Sequence, residues 1–391
     1  MDNNTNTDSS LDKQEMLEEI NEEINEKMSA DNDDMSDRKR YRERKNKDRK
    51  NKKKLSPLAI VLIVILSIIV ILLAAFFIIT GIGKSKLSKS VNEDIEMMDN
   101  NGNEVTDRIV DYNGKKYKYN DNLINILFMG IDVKGELEKH TELGKSGQAD
   151  SIFLCSIDTS NGAMNIISIP RDTMTDVNVY SGKEGFVGTK KLQVCLAYGY
   201  GDGREVSSEN TTMSVSRLMY GVPINSYVSI SLAAIPILND AVGGVTVTIP
   251  EEYTAYDKSV TAGQTVTLMG QKAEFFVRAR DSESGDMTAN TYRIERQKTY
   301  LLGFISKFFS ETKKDISLPL TMYGAIGDYV CTDLDTTQIA YLSTQVIKNG
   351  FSGYEIKSIP YEIKMGEYAE YHAKNQELFD MIIDLFYEPV N

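Results

Sequence analysis

Residues 58–82 form an unbroken apolar stretch of 25 positions without one charged side chain. At 1.5 Å of rise per helical residue, that length crosses a hydrocarbon core of about 30 Å. The stretch is expected to be a transmembrane helix, and the rest of the chain must lie on one side of it or the other. A cleaved signal peptide needs a shorter apolar region near residue 1 and a small-residue cleavage site, whereas more than fifty mostly polar positions come first here. Residues 38–54 (RKRYRERKNKDRKNKKK) set twelve cations against two acids, while the far flank carries only Lys84, Lys86 and Lys89. The positive-inside rule then predicts a single-pass type II protein at the cell membrane, with the N-terminus cytoplasmic and residues from about 84 onward outside. So close to a membrane helix, the basic run reads as an orientation signal lying on anionic lipid rather than a nucleic-acid patch. Upstream, residues 1–37 are acidic and polar, with room for one short amphipathic helix through Leu17, Ile20, Ile24 and Met28.

The domain plan that follows has a cytoplasmic tail and basic run (1–57), a span (58–82), a linker (83–119) and one outer domain (120–391). Net charge is −13, and because the tail acids nearly cancel the basic run, most of the deficit falls on the outer domain. An acidic surface offers nucleic acid no attraction, so any anionic substrate requires a local cationic pocket. Three cysteines, Cys155, Cys195 and Cys331, are too few for a disulfide scaffold. Cys155 reads as a buried thiol, with a Cys155–Cys195 bridge as the minor alternative.

Short apolar runs at 125–129, 151–157 and 164–169 suit buried strands, joined by strands at 116–119, 226–231, 245–249 and 354–359. Helices are predicted over 190–200, 209–220, 232–242, 271–280, 290–309, 336–348 and 376–386. The alternation implies a three-layer α/β sandwich around one central sheet.

With only His140 and His372, a histidine triad or zinc cluster has almost no material, and no GxSxG, P-loop or GxGxxG pattern occurs. Arginines and aspartates at the ends of apolar strands stand out instead: Asp132 closes the first, Asp150 opens the second, and Arg171 with Asp172 closes the third. Strand ends open onto the crevice where α/β sheets bind ligands. On predicted helices, Arg278 and Arg280 lie two apart in FFVRAR, and Arg293 and Arg296 lie three apart in RIERQ and share a face. Residues two apart diverge by about 200°, so the FFVRAR helix is expected to end near Arg280, with Arg278 in its last turn and Arg280 in the loop. Guanidinium forks together with carboxylates that share a divalent ion are the chemistry of pyrophosphate binding, although each residue alone reads as an ordinary surface ion pair.

The ordered set NILFMGID, ADSIFLCSID, SIPRDT (168–173), KLQVCLAYGYG (191–201), DAVGGVTVTIP (240–250), FFVRARD and RIERQ resembles the LytR-CpsA-Psr family of membrane-anchored cell-wall phosphotransferases. The resemblance implies transfer of a phosphoglycosyl polymer from a polyprenyl pyrophosphate carrier to a peptidoglycan hydroxyl, with membrane lipid and no nucleic acid as partners. By that likeness Asp132 and Asp150 would hold Mg²⁺, and Arg171, Asp172, Arg278 and Arg280 would form the catalytic core. Asp172 would either orient Arg171 or act as base, and orientation is preferred. Lys191, Arg293, Arg296 and Gln297 would contact the substrate, and the lipid would run in an apolar channel drawn from Val194, Leu196, Phe275, Phe276, Leu301 and Phe304.

Three positions depart from the family pattern. Asn290 stands where members carry an acid before RxxRQ, leaving Asp286 to reach in through a longer loop or that function absent. Gln193 replaces an asparagine, and the Asp132–Asp150 interval is lengthened around residues 136–147. A non-catalytic or specialised binder of polyprenyl pyrophosphate or wall polymers is the alternative; it would keep the arginines without needing both aspartates.

Overall fold

The computed structural model describes residues 57–92, 94–143, 146–182, 185–279, 287–349, 356–366 and 368–390, with scattered positions of the N-terminal segment. Leu17, Ile20, Ile24, Met28, Arg280 and Asp286 lie outside the described residues. The chain divides into two units, Met1–Ala74 and Ala75–Asn391, and helix α1 (Pro57–Leu87) runs through the boundary. Among the described residues, Val70–Leu87 is the one stretch long and apolar enough to cross a membrane, with a mean hydropathy of 1.8. Ile71, Leu72, Phe77 and Ile78 are each more than 60% exposed, a surface that water would not tolerate.

Residues 83–119 are folded onto the domain rather than forming the expected linker. A Cβ on Gly83 would sit 2.1 Å from the Thr337 carbonyl oxygen, so only glycine permits this approach. Leu87 is fully buried and Lys86 pairs with Asp335. Strands β1 (Ile109–Tyr112) and β2 (Lys115–Tyr119) follow, burying Val110, Tyr112 and Tyr119.

The sheet comes from β3 (Leu123–Ile131), β4 (Ala149–Asp158) and β5 (Met164–Ile169), all near the predicted positions. Period-two alternation sends Leu127, Met129 and Ile131 to one face and Ile124 and Ile126 to the other, so both faces are apolar and both need cover. Next comes a hairpin of a largely buried β6 (Met174–Ser181) and a mostly exposed β7 (Gly185–Gln193), whose end falls where a helix over 190–200 was predicted. Pairing across the hairpin, Lys190 opposite Val177, overrides local propensity, and only the four-residue α2 (Leu196–Gly199) is helical. Helix α3 (Glu205–Leu218) buries Ser207, Ser208, Thr211, Thr212 and Ser214 completely. Four of these hydroxyls donate to the carbonyl four residues earlier, at 2.7–2.9 Å, which satisfies them without water.

The remaining elements are β8 (Ser226–Ser231), α4 (Ala234–Ala241), β9 (Val245–Thr248), β10 (Thr265–Leu268), α5 (Gln271–Arg278), α6 (Met287–Lys314), α7 (Leu318–Ile326), β11 (Val330–Thr332) and α8 (Thr336–Asn349). The described chain closes with β12 (Ile356–Ser358), β13 (Tyr361–Met365), β14 (Ala369–Ala373), α9 (Asn375–Phe386) and β15 (Tyr387–Pro389). The central mixed sheet has the order β11-β8-β3-β4-β5-β12. One face packs on α3 and α9 through Val215, Phe379 and Phe386, the other on α4, α7 and α8 through Ala234, Ile326 and Tyr341. The α/β sandwich expected from the alternation is the architecture found. All three cysteines are buried free thiols, so no bridge joins Cys155 to Cys195.

Candidate functional site

The site lies where β3 and β5 end and β4 begins, because antiparallel pairing of β3 with β4 puts the last residues of one beside the first of the other. Ile131 pairs with Ala149, and the Asp132 N–H donates to the Gln148 carbonyl at 3.1 Å. Asp132 and Asp150 thus leave adjacent strand ends. Arg171, two residues past β5, donates from Nη1 to Asp150 and from Nη2 to Gln148 Oε1 at 2.7 Å, while its Nε lies 3.5 Å from Asp172 Oδ1. From the helical side, Arg293 Nη1 approaches Asp150 Oδ2 at 3.9 Å. Arg278, the last residue of α5, lies 4.0 Å from Asp132 Oδ1 and donates to Glu274 Oε1 at 2.8 Å. Helix α5 ends at Arg278, two residues before the expected end near Arg280, and Arg280 itself lies outside the described residues.

Gln297 joins the two halves. It accepts from Ser151 Oγ and donates to the Val277 carbonyl, both at 3.3 Å, tying the start of β4 to the end of α5. The structure thus brings Asp132, Asp150, Arg171, Asp172, Arg278, Arg293 and Gln297 together. Burial raises the Asp172 carboxyl above its ordinary value, with Arg171 working against the shift. Burial likewise pushes the neighbouring Cys195 thiol up to about 11, so it stands in the crevice wall as a neutral group.

Two expected substrate contacts are placed elsewhere. Lys191 lies on the β6–β7 hairpin, 60% exposed, and its ion pair is with Asp176 at 3.9 Å. Arg296 is 2% exposed, donating from Nε to the Phe276 carbonyl at 3.1 Å, from Nη2 to the Ala279 carbonyl, and from Nη1 to Glu252 Oε1 at 3.3 Å. It caps the end of α5 instead of facing the crevice. Gln193 donates to the Ala369 carbonyl at 2.9 Å and so fastens β14. Asn290 lies in α6, with its side chain outside the described residues.

Of the six apolar residues expected to line one channel, four are split among three clusters and Leu196, half-buried, and Phe275 belong to none. Val194 belongs to the α3 and α9 side, Leu301 to the α7 and α8 side, and Phe276 and Phe304 to a third cluster with β9 and β10; Phe275 is 47% exposed. The reason is a double stripe on α6. Leu301, Ile305 and Phe309 face the sheet, while Tyr300, Phe304 and Phe308 stack on one another toward α5 and β9. Half-buried Phe128, Phe153 and Ile230 pack in the same cluster as the first stripe.

Sequence reasoning missed Gln148 and Glu274. The four-residue spacing of Glu274 and Arg278 in QKAEFFVR was a readable helical pair, whereas nothing local marks Gln148. Among the described residues no three His, Cys, Asp or Glu side chains form a metal cluster. Asp132 and Asp150 still fit Mg²⁺ in one manner, since that ion commonly takes one or two carboxylates and completes its shell with water and substrate phosphate.

The model of the LytR_cpsA_psr family matches residues 84–384. The polyisoprenyl-teichoic acid–peptidoglycan teichoic acid transferase TagU of Oceanobacillus iheyensis is 29% identical over 247 residues, 62% of this chain and 68% of that one. The corresponding transferase TagV of Bacillus subtilis is 26% identical over 297 residues, 73% of this chain and 67% of that one. Among solved structures, protein gbs0355 of Streptococcus agalactiae superposes with a TM-score of 0.54 at 19% identity, covering 67% of this chain and 87% of that one. The structure titled TagT bound to LIIa-WTA gives 0.50 at 19%, covering 68% and 89%; both likenesses speak for the fold alone.

Proposed function

The chain belongs to the LytR-CpsA-Psr family, and we propose that it moves a phosphoglycosyl polymer from a polyprenyl pyrophosphate carrier to peptidoglycan during bacterial cell-wall assembly. One observation carries the reading: Arg171, Arg278 and Arg293 gather with Asp132 and Asp150 at one strand-end crevice. Converging guanidinium forks with carboxylates set among them match a pyrophosphate. The likeness to polyisoprenyl-teichoic acid–peptidoglycan teichoic acid transferases supports the donor and acceptor classes.

In this reading an acceptor hydroxyl oxygen attacks the phosphorus that bears the sugar. Its bond to the bridging oxygen breaks, and polyprenyl phosphate leaves, its freed oxygen taking up the proton that the acceptor hydroxyl gives up. Arg171, Arg278 and Arg293 bind the non-bridging oxygens, and Asp150 with Gln148 holds the Arg171 fork in plane before the ligand arrives. Asp172 orients Arg171. Mg²⁺ held by Asp132 and Asp150 would supply further neutralisation of the phosphate charge. Little covalent work is asked of the protein, which suits a site without histidine. The charge asymmetry across the apolar helix supports a domain outside the cell with the N-terminus in the cytoplasm.

Lipid-pyrophosphate binding by Arg171→Lys and Arg278→Lys tests the reading. Lysine keeps the charge and loses the two-pronged fork, so affinity should fall at least tenfold, about 1.4 kcal/mol. Unchanged affinity in both refutes the clamp. Binding without Mg²⁺-dependent transfer by the parent assigns the chain to the non-catalytic binder instead.

A further inference from the structure

We propose that the loop joining β3 to β4 builds a second pocket beside the arginine crevice, and that this pocket holds the neutral, hydroxyl-bearing sugar of the acceptor glycan. The proposal rests on the transferase reading above. The cavity measures about 290 Å³, and its walls include Val133, Glu136, Leu137, Glu138, His140 and Tyr198. Val133 and Gly147, also in the wall, are the chain neighbours of Asp132 and Gln148, which face Arg278 and Arg171. Pocket and crevice therefore share one boundary, pinched by the bond between the Asp132 N–H and the Gln148 carbonyl.

The wall is fastened from outside. Arg204 Nη1 donates to the Leu137 carbonyl at 2.7 Å, the His140 N–H to the Asp202 carbonyl at 2.7 Å, and Lys139 reaches Glu205 at 2.8 Å and Asp202 at 3.2 Å. Gly203, at φ 86°, closes the floor; a Cβ there would meet the Glu138 carbonyl oxygen at 2.4 Å and His140 Cδ2 at 2.9 Å. A pocket held in this way is shaped before its ligand arrives.

Its lining chemistry selects the ligand. The Glu136 and Glu138 carboxylates accept hydroxyl protons, His140 donates or accepts, and half-buried Val133 offers an apolar contact to the C–H face of a sugar ring, with the buried Tyr198 and Leu137 closing the wall behind. The Tyr198 hydroxyl already donates to the Gly203 carbonyl at 2.6 Å. Two carboxylates repel phosphate, so the donor's pyrophosphate stays with the arginines and an uncharged polyol is the ligand that suits the neighbouring space. The lengthened interval at residues 136–147 and the otherwise idle His140 both gain a role.

Full-length protein in detergent, carrying a histidine-free tag, is titrated with an uncrosslinked peptidoglycan oligosaccharide while histidine ring resonances are followed by NMR. The chain's two histidines serve as a site and a control, since His372 lies on β14 beside Glu370 at 2.9 Å. The His140 resonance should move and that of His372 should not. Transfer assays with Glu138→Gln and His140→Ala should then show an acceptor KM raised at least tenfold and unchanged donor affinity. A parent that transfers, with variants that keep its acceptor KM or with movement of His372 alone, overturns the pocket assignment and leaves the transferase reading standing. A parent that neither binds the lipid pyrophosphate nor transfers overturns both.

Discussion

Replacing Arg296 with alanine decides whether this arginine serves the ligand, as its spacing from Arg293 suggests, or the scaffold, as its contacts show. The guanidinium is 2% exposed, holds the Phe276 and Ala279 carbonyls and Glu252, and has the Tyr253 and Tyr256 rings 5.7 and 5.5 Å from its centre. Truncation leaves two carbonyls and a carboxylate without their donor. Each buried group left unsatisfied costs about 1–3 kcal/mol, and removing one partner of a buried ion pair costs about 3–5 kcal/mol. These overlap, and water entering the vacated space offsets part, so a net loss of about 3–5 kcal/mol is expected. At roughly 2–4 °C per kcal/mol for a domain of this order, Tm should fall by about 10 °C. Arg296→Lys keeps the charge but reaches fewer acceptors, and should lose about half as much. The chain has no tryptophan, so unfolding is followed by circular dichroism, beside lipid-pyrophosphate binding at a temperature where the variants stay folded. A Tm within about 1 °C of the parent, combined with a tenfold loss of affinity, would refute the scaffold role.

Three further outcomes are expected. Burial raises the Asp172 carboxyl, so the folded state binds its proton more tightly than the unfolded chain, and its contribution to stability rises as pH falls from the raised value through the ordinary carboxylate range. Asp172→Asn should therefore hold or raise Tm at pH 7 while transfer falls; a clear drop in Tm would mean that the Arg171 pair outweighs burial. Gly83→Ala pushes a methyl group into the Thr337 carbonyl and should cost about 1–3 kcal/mol, freeing the Lys86 and Leu87 turn to faster hydrogen exchange, whereas parent-like exchange there would deny the close approach. Protease added to intact protoplasts should remove the chain beyond about residue 90 and spare the tail, and protection of the C-terminal domain would reverse the orientation.

Much of this protein was legible before its fold was known, wherever the signal is local. An uncharged run of membrane length, apolar strands at 125–129, 151–157 and 164–169, and charged residues at their ends each follow from neighbours in sequence. The place of Asp132, Asp150 and Arg171 in one crevice follows from strand ends meeting at one edge of a sheet. A helix over FFVRAR ending near Arg280 was likewise foreseeable, and α5 ends two residues earlier, at Arg278. Packing decided the rest. Arg293 and Arg296 share a face, yet one reaches Asp150 and the other is consumed by the end of α5, because the angle at which α5 crosses α6 is set by their apolar contacts. Lys191 and its neighbours are drawn into a strand by a partner strand ten or more residues away, which outweighs local preference. Leu301 and Phe304 separate into different clusters because α6 is covered on two sides at once. Sequence determined which groups stand at the sheet's edge, and tertiary packing alone decided which of them are left facing the crevice, since a side chain is free for a ligand only when no neighbouring element has already taken it.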